Sequence, residues 1–183
     1  MTMPESKLPA PIKVAAMSSG ALPDVMAIES KSFALPWPEA FYRQELQNDR
    51  ADFRVVMYNM KLVGYCGCWH MVNYMHVGTM AVHPTVRRRG IGELLLITIV
   101  DQAIELGVDA VRLEVRPSNH AAMSLYAKYG LVAVGRRSSY YPDTGEDAII
   151  MTRSRMGSES YQSLFKAHRH DHFGRLARIW VDS

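Results

Sequence analysis

The amino-acid sequence predicts an α/β fold, a mixed sheet with helices on both faces. Three observations carry that prediction. An apolar strand at His76–Val82, a long apolar helix at Ile91–Leu106 and a strand at Ala110–Val115 form a strand–helix–strand unit. A crossover of that kind implies parallel strands. Upstream, Phe53–Met57 and Leu62–Cys66 flank Tyr58-Asn59-Met60-Lys61, a hairpin and therefore an antiparallel pair. Downstream, Val132–Arg136 and Ala148–Met151 read as a final antiparallel pair.

In chain order, residues 1–10 read as a loose arm and Ile12–Ala16 as the first strand. Leu22–Phe33 carries Val25, Met26, Ile28 and Phe33 at a spacing that suits a helix. It breaks at Leu35-Pro36-Trp37-Pro38, where Pro38 opens a second helix, Glu39–Gln47. Two short helices joined by an aromatic, proline-stiffened elbow can wall a cleft; Trp37 can equally act as a staple between them. The Ile91–Leu106 helix carries Leu95, Leu96, Ile99, Ala103 and Ile104 on one face and stops at Gly107. A further helix runs from Asn119 or His120 to Tyr129 and is closed by Gly130. Residues 11–152 form the domain, and 153–183 an extension in which Tyr161, Leu164, Phe165 and His168 have helical spacing.

Length and composition narrow the function. A chain of 183 residues is one domain with a sizeable core, and 48% apolar and 21% charged residues are ordinary for a soluble protein. A net charge of +3 is too small to argue for nucleic acid but suits an anionic cofactor. No basic segment precedes an apolar one at the N-terminus, and the longest apolar run, Leu94–Val100, is too short for a bilayer. The reading is a cytoplasmic enzyme without membrane or direct nucleic-acid partners.

Cys66, Cys68 and His70 would share one strand face, but their spacing matches no zinc pattern, so reduced, packed cysteines are expected. The tract His168-Arg169-His170-Asp171-His172 is expected to be solvated rather than metal-binding. No metal is expected.

The chain is organised around Met80-Ala81-Val82-His83-Pro84-Thr85-Val86-Arg87-Arg88-Arg89-Gly90-Ile91-Gly92-Glu93. This is a strand, a tight turn and a helix start. The first N–H groups of a helix lack intrahelical acceptors and carry partial positive charge. Gly90 and Gly92 remove side chains that would keep a ligand from them. Such a nest fits a pyrophosphate. The form Arg-x-x-Gly-x-Gly is neither a dinucleotide fingerprint nor a Walker loop.

Farther on, alternation turns Arg112, Glu114 and Arg116 to one strand face, so Glu114 is either an ion-pair partner of those arginines or a general base. Tyr126 and Tyr129, three residues apart on one helix, are either buried aromatics or a proton donor.

These segments together resemble the GCN5-related (GNAT) acetyltransferases, and within them the bacterial ribosomal-protein-alanine N-acetyltransferases. The resemblance rests on the Arg-x-x-Gly-x-Gly turn, the Phe33-x-x-Pro36-Trp37 elbow, Leu113-Glu114-Val115-Arg116-x-Ser118-Asn119-x-Ala121-Ala122-x-x-Leu125-Tyr126, and Tyr140-Tyr141-Pro142. It runs from about Ile12 to Thr152 and implies a sheet of about seven strands with a splayed central parallel pair. It implies acetyl transfer from acetyl-CoA, as co-substrate, to the α-amine of a protein or peptide N-terminus, with an alanine-initiated ribosomal protein as substrate.

By the same resemblance Glu114 is the base and Tyr126 the acid, while Met80, Ala81, Val82, Arg88, Arg89, Gly90, Ile91, Gly92, Glu93 and Asn119 hold the cofactor. Trp37, Tyr140 and Tyr141 would contact the substrate. Leu131 replaces a usual phenylalanine, and Arg136-Arg137-Ser138-Ser139 carries one extra small residue. Residues 153–183 have no counterpart in the short bacterial enzymes. Since every motif ends by Thr152, removing 156–183 is expected to leave transfer to a short peptide intact. The alternatives are a GNAT enzyme acting on a small amine or on lysine side chains, and a non-catalytic acetyl-CoA sensor.

Overall fold

Seven apolar segments pair into one sheet of order β1-β2-β3-β4-β5-β7-β6. The computed structural model describes Leu8, Pro9 and residues 11–181; the expected arm over 1–10 falls outside these residues but for Leu8 and Pro9. The strands are β1 Ile12–Ala16, β2 Ala51–Tyr58, β3 Lys61–His70, β4 Tyr74–Val82, β5 Ala110–Val115, β6 Val132–Tyr141 and β7 Glu146–Ser154. The helices are α1 Leu22–Ser32, α2 Glu39–Glu45, α3 Ile91–Glu105, α4 His120–Lys128 and α5 Glu159–Val181. Only β4 and β5 pair in parallel, as the strand–helix–strand unit requires. The mixed α/β fold with a seven-stranded sheet is therefore as the sequence predicts.

The parallel pair is short. Tyr74–Val77 register with Ala110–Leu113, and there the ladder ends. Beyond that point β4 continues against β3 alone and β5 against β7 alone, so the two strands splay. A bulge at Gly78, which sits between Thr79 (opposite Gly67) and Val77 (opposite Cys68), marks the divergence. A Cβ on Gly78 would lie 2.0 Å from the Trp69 ring, so only glycine allows that close approach.

Each sheet face has its own core. On one side α1 and α2 bury Leu22, Val25, Ile28 and Tyr42 against Phe53, Val55 and Tyr65. On the other, α3 sits nearly all buried among Cys66, Cys68, Val77, Leu113 and Val115. Both cysteines are buried free thiols, with burial raising both and taking Cys66 up to about 12.

Helix α5 joins the α3 side. Tyr161, Phe165, Phe173, Leu176 and Trp180 all enter its core, whereas Leu164 is exposed. Removing residues 156–183, which on the motifs alone is expected to leave transfer to a short peptide intact, would therefore strip side chains from this core. In the histidine tract His170 and Asp171 are exposed, as expected, whereas His172 is 1% exposed and His168 packs 5.6 Å from the Tyr129 ring. Among the described residues no cluster of three or more metal-ligating side chains occurs, and no helix is long and apolar enough to cross a membrane.

Candidate active site

The turn before α3 is built from backbone of alternating hand. Arg88 has φ 64° and Gly90 φ 89°, with Arg89 between them outside the left-handed region. Alternation of this kind gathers successive N–H groups into an anion nest. Leu94 N–H is the first to bond back into the helix, to Gly90 O at 3.0 Å, so the N–H groups before it have no intrahelical acceptor. A Cβ on Gly92 would meet only Val82 Cγ2, at 3.7 Å, so the turn is open there. Gly90 differs, since a Cβ would lie 2.8 Å from Leu176 Cδ2 and 3.0 Å from His172 Cε1. Its bareness therefore serves the packing of α5 as well.

The arginines of the turn divide. Arg87 donates to Val82 O and Ser32 Oγ, both at 3.2 Å, tying the turn to β4 and α1. Arg89 lies 3.9 Å over the Trp180 ring. Arg88 is exposed, held in a left-handed conformation that costs a non-glycine residue about 1 kcal/mol or more. The Glu93 carboxylate is occupied by Lys128 Nζ (2.5 Å), Tyr129 OH (2.7 Å), Arg175 (2.9 Å) and His172 (3.3 Å). What Glu93 offers the turn is thus its backbone N–H. Asn119 spends its side-chain oxygen capping α4, accepting from Ala122 N–H at 3.2 Å.

Glu114 stands where β5 leaves β4. Its side chain is only 5% exposed. The sequence offered Arg112 and Arg116 as ion-pair partners, and the structure gives it neither. Arg112 donates to Thr152 Oγ1 and faces the Tyr74 ring. Arg116 is bidentate to Asp143, binds Glu146 and lies 3.8 Å over the Tyr141 ring. The carboxylate instead lies 3.3 Å from His76 Nε2 and 3.1 Å from Arg137, neither contact having hydrogen-bond geometry.

His76 is opposite Arg112 in the parallel ladder, which puts it on the Glu114 face. Burial pushes its imidazole below the ordinary value; Glu114 works against that shift, while Arg137 and Arg112 add to it. Neither His76 nor Arg137 was found from the sequence. His76 was hidden because the parallel register is set by the whole crossover. Arg137 was hidden because the register slips in β6 between Arg137 (opposite Ala148) and Tyr141 (opposite Glu146). Ser139, with φ 50°, sits in that slip, where the sequence has its extra small residue.

An aromatic wall continues from His76. Trp69 is 6.3 Å from the His76 ring, Trp37 6.0 Å from Trp69, and Phe41 4.7 Å from Trp37. The Trp37 backbone N–H donates to Glu29 Oε1 at 2.8 Å, and buried Glu29 also accepts from the Tyr42 and Tyr65 hydroxyls. Burial holds Glu29 above the ordinary carboxylate range, against the pull of the Trp37 and Tyr42 hydrogen bonds. The elbow is therefore fixed from beneath, as the staple reading of Trp37 requires. On the opposite side Tyr140 and Tyr141 meet edge to face at 5.1 Å.

Of the two helix tyrosines, Tyr129 is committed to Glu93. Tyr126 is buried, and burial, with Tyr141 nearby, takes its phenol up to about 12. It is therefore a protonated group at neutral pH and able to donate. Tyr141 is likewise raised to about 12 by burial, against the opposing Arg116 charge.

Comparison with known proteins agrees with this geometry. The acetyltransferase (GNAT) family profile matches residues 22–131. A Bacillus subtilis (strain 168) protein named, provisionally, [ribosomal protein bS18]-alanine N-acetyltransferase is 39% identical over 128 residues, which is 69% of this chain and 85% of that one. The crystal structure of the Escherichia coli ribosomal-protein-S18-alanine N-acetyltransferase superposes with a TM-score of 0.73 at 30% identity. That match covers 79% of this chain and 94% of the other. The NatC complex bound to Gag peptide and CoA shares the fold, with a TM-score of 0.69 at 20% identity over 78% of this chain and 98% of that one. A strand pair that splays beside a glycine-rich helix start, matched over more than half the chain by one family, places the protein: it belongs to the GNAT acetyltransferases and is an N-acetyltransferase.

Proposed function

We propose that the enzyme transfers acetyl from acetyl-CoA to the α-amine of a protein N-terminus, and that an alanine-initiated ribosomal protein is its substrate. The observation that carries the reading is the setting of Glu114. A nearly buried carboxylate stands at the fork of β4 and β5, between the Trp37–Trp69 wall and the Tyr140–Tyr141 hairpin. The relatives named for alanine acetylation support the choice of substrate.

The residues fit acetyl-CoA. The nest at Arg88–Glu93, open at Gly92, takes the pyrophosphate, with the exposed Arg88 adding charge. The thioester supplies the activated acetyl group. Backbone N–H groups of Met80–Val82, on a strand whose β5-facing edge is unpaired, polarise its carbonyl.

Glu114 accepts the proton of the incoming ammonium, directly or through a water, and the amine nitrogen then bonds to the carbonyl carbon. His76, neutral through burial, stands beside the carboxylate without adding positive charge. Arg137, half exposed at 51%, is free to move aside as the ammonium arrives. As the C–S bond breaks, Tyr126 gives its proton to the departing thiolate; the second proton lost by the acylated nitrogen restores the phenol, and Glu114 releases the first to solvent. Asn119 retains its amide donors for the cofactor, and Tyr140 closes over the substrate's first residue.

The test is to offer acetyl-CoA with peptides beginning in alanine, serine and methionine, and with a lysine peptide blocked at its N-terminus. Acetylation at the α-amine, fastest for alanine, is the expected result. Acetyl found only on lysine would overturn the proposal.

A further inference from the structure

We propose that α5 is a brace for the cofactor turn, with Trp180 and His172 as positioning residues that set the affinity for acetyl-CoA. The inference rests on the reading that the Arg88–Glu93 turn takes the pyrophosphate. Nothing in the motif-bearing region assigns these residues a part in the reaction.

Trp180 is 1% exposed, and its indole Nε1 donates to the carbonyl oxygen of Arg89 at 2.9 Å. The Arg89 guanidinium stacks on the same indole and donates to Ile179 O at 3.3 Å. One and two turns earlier, Leu176 and His172 fill the space beside Gly90. His172 Nδ1 reaches Glu93 Oε2, and Arg175 reaches Glu93 Oε1. Helix α5 therefore grips the turn at Arg89, Gly90 and Glu93.

The physical consequence follows from the peptide unit. The Arg89 carbonyl and the Gly90 N–H belong to one planar trans group and point in opposite directions. By holding the oxygen toward α5, Trp180 aims the Gly90 N–H away from α5. Glycine at φ 89° has little intrinsic preference against flipping that peptide, so an outside contact must choose its orientation. His172 and Leu176 close the other route by occupying the side toward which Gly90 would move. Preorganised donors bind an anion more tightly than donors that must first be aligned.

The informative variant is Trp180→Phe, which keeps a ring against Tyr58, 4.3 Å away, and beneath Arg89, but removes the indole donor. One hydrogen bond of net value near 1 kcal/mol corresponds to a change of about three- to tenfold. We expect the acetyl-CoA Kd by calorimetry and its KM to rise by that factor, with kcat at saturation unchanged. A second measurement needs no variant. Because coupling is reciprocal, coenzyme A bound to the wild type should slow amide exchange in residues 172–180.

Wild-type protein that binds no coenzyme A would overturn the functional reading and this inference together. Wild-type binding with equal affinity in folded Trp180→Phe, or a fall in kcat alone, overturns the brace only. Should Trp180→Phe fail to fold, the exchange measurement decides, and no slowing in α5 on binding overturns the brace.

Discussion

His76 Nε2 lies 3.3 Å from Glu114 Oε2 at the point where β4 and β5 part. Burial holds the imidazole beside Glu114 below its ordinary value, so the ring is neutral at neutral pH. On the proposed reading it is Glu114, and not the imidazole, that accepts the proton of the incoming ammonium. Glu114→Gln should lower kcat/KM by about 10²–10⁴-fold near neutrality, or roughly 3–5 kcal/mol. The deficit should shrink as pH rises, because more amine is then already neutral. His76→Asn should cost less, about tenfold, as it removes a partner and not the base. A pH series of kcat/KM on one peptide separates them; a larger loss in His76→Asn would make the imidazole the base.

Tyr126 and Tyr129 should respond to phenylalanine in different observables. Tyr126→Phe removes the donor for the thiolate, and high pH should not rescue its lowered kcat. With its phenol near 12, the wild type should keep this acid protonated throughout the ordinary assay range. Tyr129→Phe instead deletes a hydrogen bond to Glu93 and should lower stability by about 1–2 kcal/mol with little change in kcat. Denaturant melts and steady-state rates on both variants check the assignment.

Gly92→Ala and Gly90→Ala distinguish the nest from its packing. A methyl at Gly92 meets only Val82 at ordinary contact distance, so that variant should fold normally and lose acetyl-CoA affinity. A methyl at Gly90 collides with Leu176 and His172 at φ 89°, and should also destabilise by about 1–3 kcal/mol. Calorimetry beside thermal melts reads the two effects apart.

The Glu93 carboxylate makes α5 docking sensitive to acid. Burial raises this group, but hydrogen bonds from His172, Lys128 and Tyr129 outweigh that and hold it well below the usual range. A depressed folded-state value means the unfolded chain binds the proton first. The contribution is therefore complete above about pH 5 and is lost as pH falls further. Glu93→Gln should be less stable than wild type at pH 7 by about 1.5–3 kcal/mol, and the gap should narrow toward pH 3. Urea midpoints at both pH values test the sign.

Deletion of residues 156–183 should now give a poorly folded protein, since it strips Met156, Tyr161, Phe165, Phe173, Leu176 and Trp180 from the core. Circular dichroism and a thermal melt would show this directly.

Local chemistry made most strands and helices legible in the sequence. Alternation placed β1 and β5, prolines and glycines punctuated α1, α2 and α3, and the Arg-x-x-Gly-x-Gly turn marked the start of α3. Relations between elements were less legible. His76 reaches Glu114 only because β4 and β5 are in one particular register before they splay. Arg137 reaches it only because β6 slips against β7. Helix α5 is legible as a docking helix from the spacing of Tyr161, Leu164, Phe165 and His168, but its seat is decided by 161, 165, 173, 176 and 180, of which only the first two are in that reading. Polar neighbours in the histidine tract masked that stripe.

The two faces of the sheet hold very unequal reserves. Among the described residues ten buried apolar side chains stand on the α1–α2 face against twenty-nine on the α3–α5 face. Cooperative opening should therefore begin at the α1–α2 elbow, where the proposed substrate wall lies, and leave the α3–α5 side closed. The same imbalance bears on divergence. If the Trp37 wall contacts the substrate as proposed, changes around Trp37 and Phe41 retune which amine is accepted while risking only the smaller core, so selectivity drifts on a scaffold whose larger half stays intact.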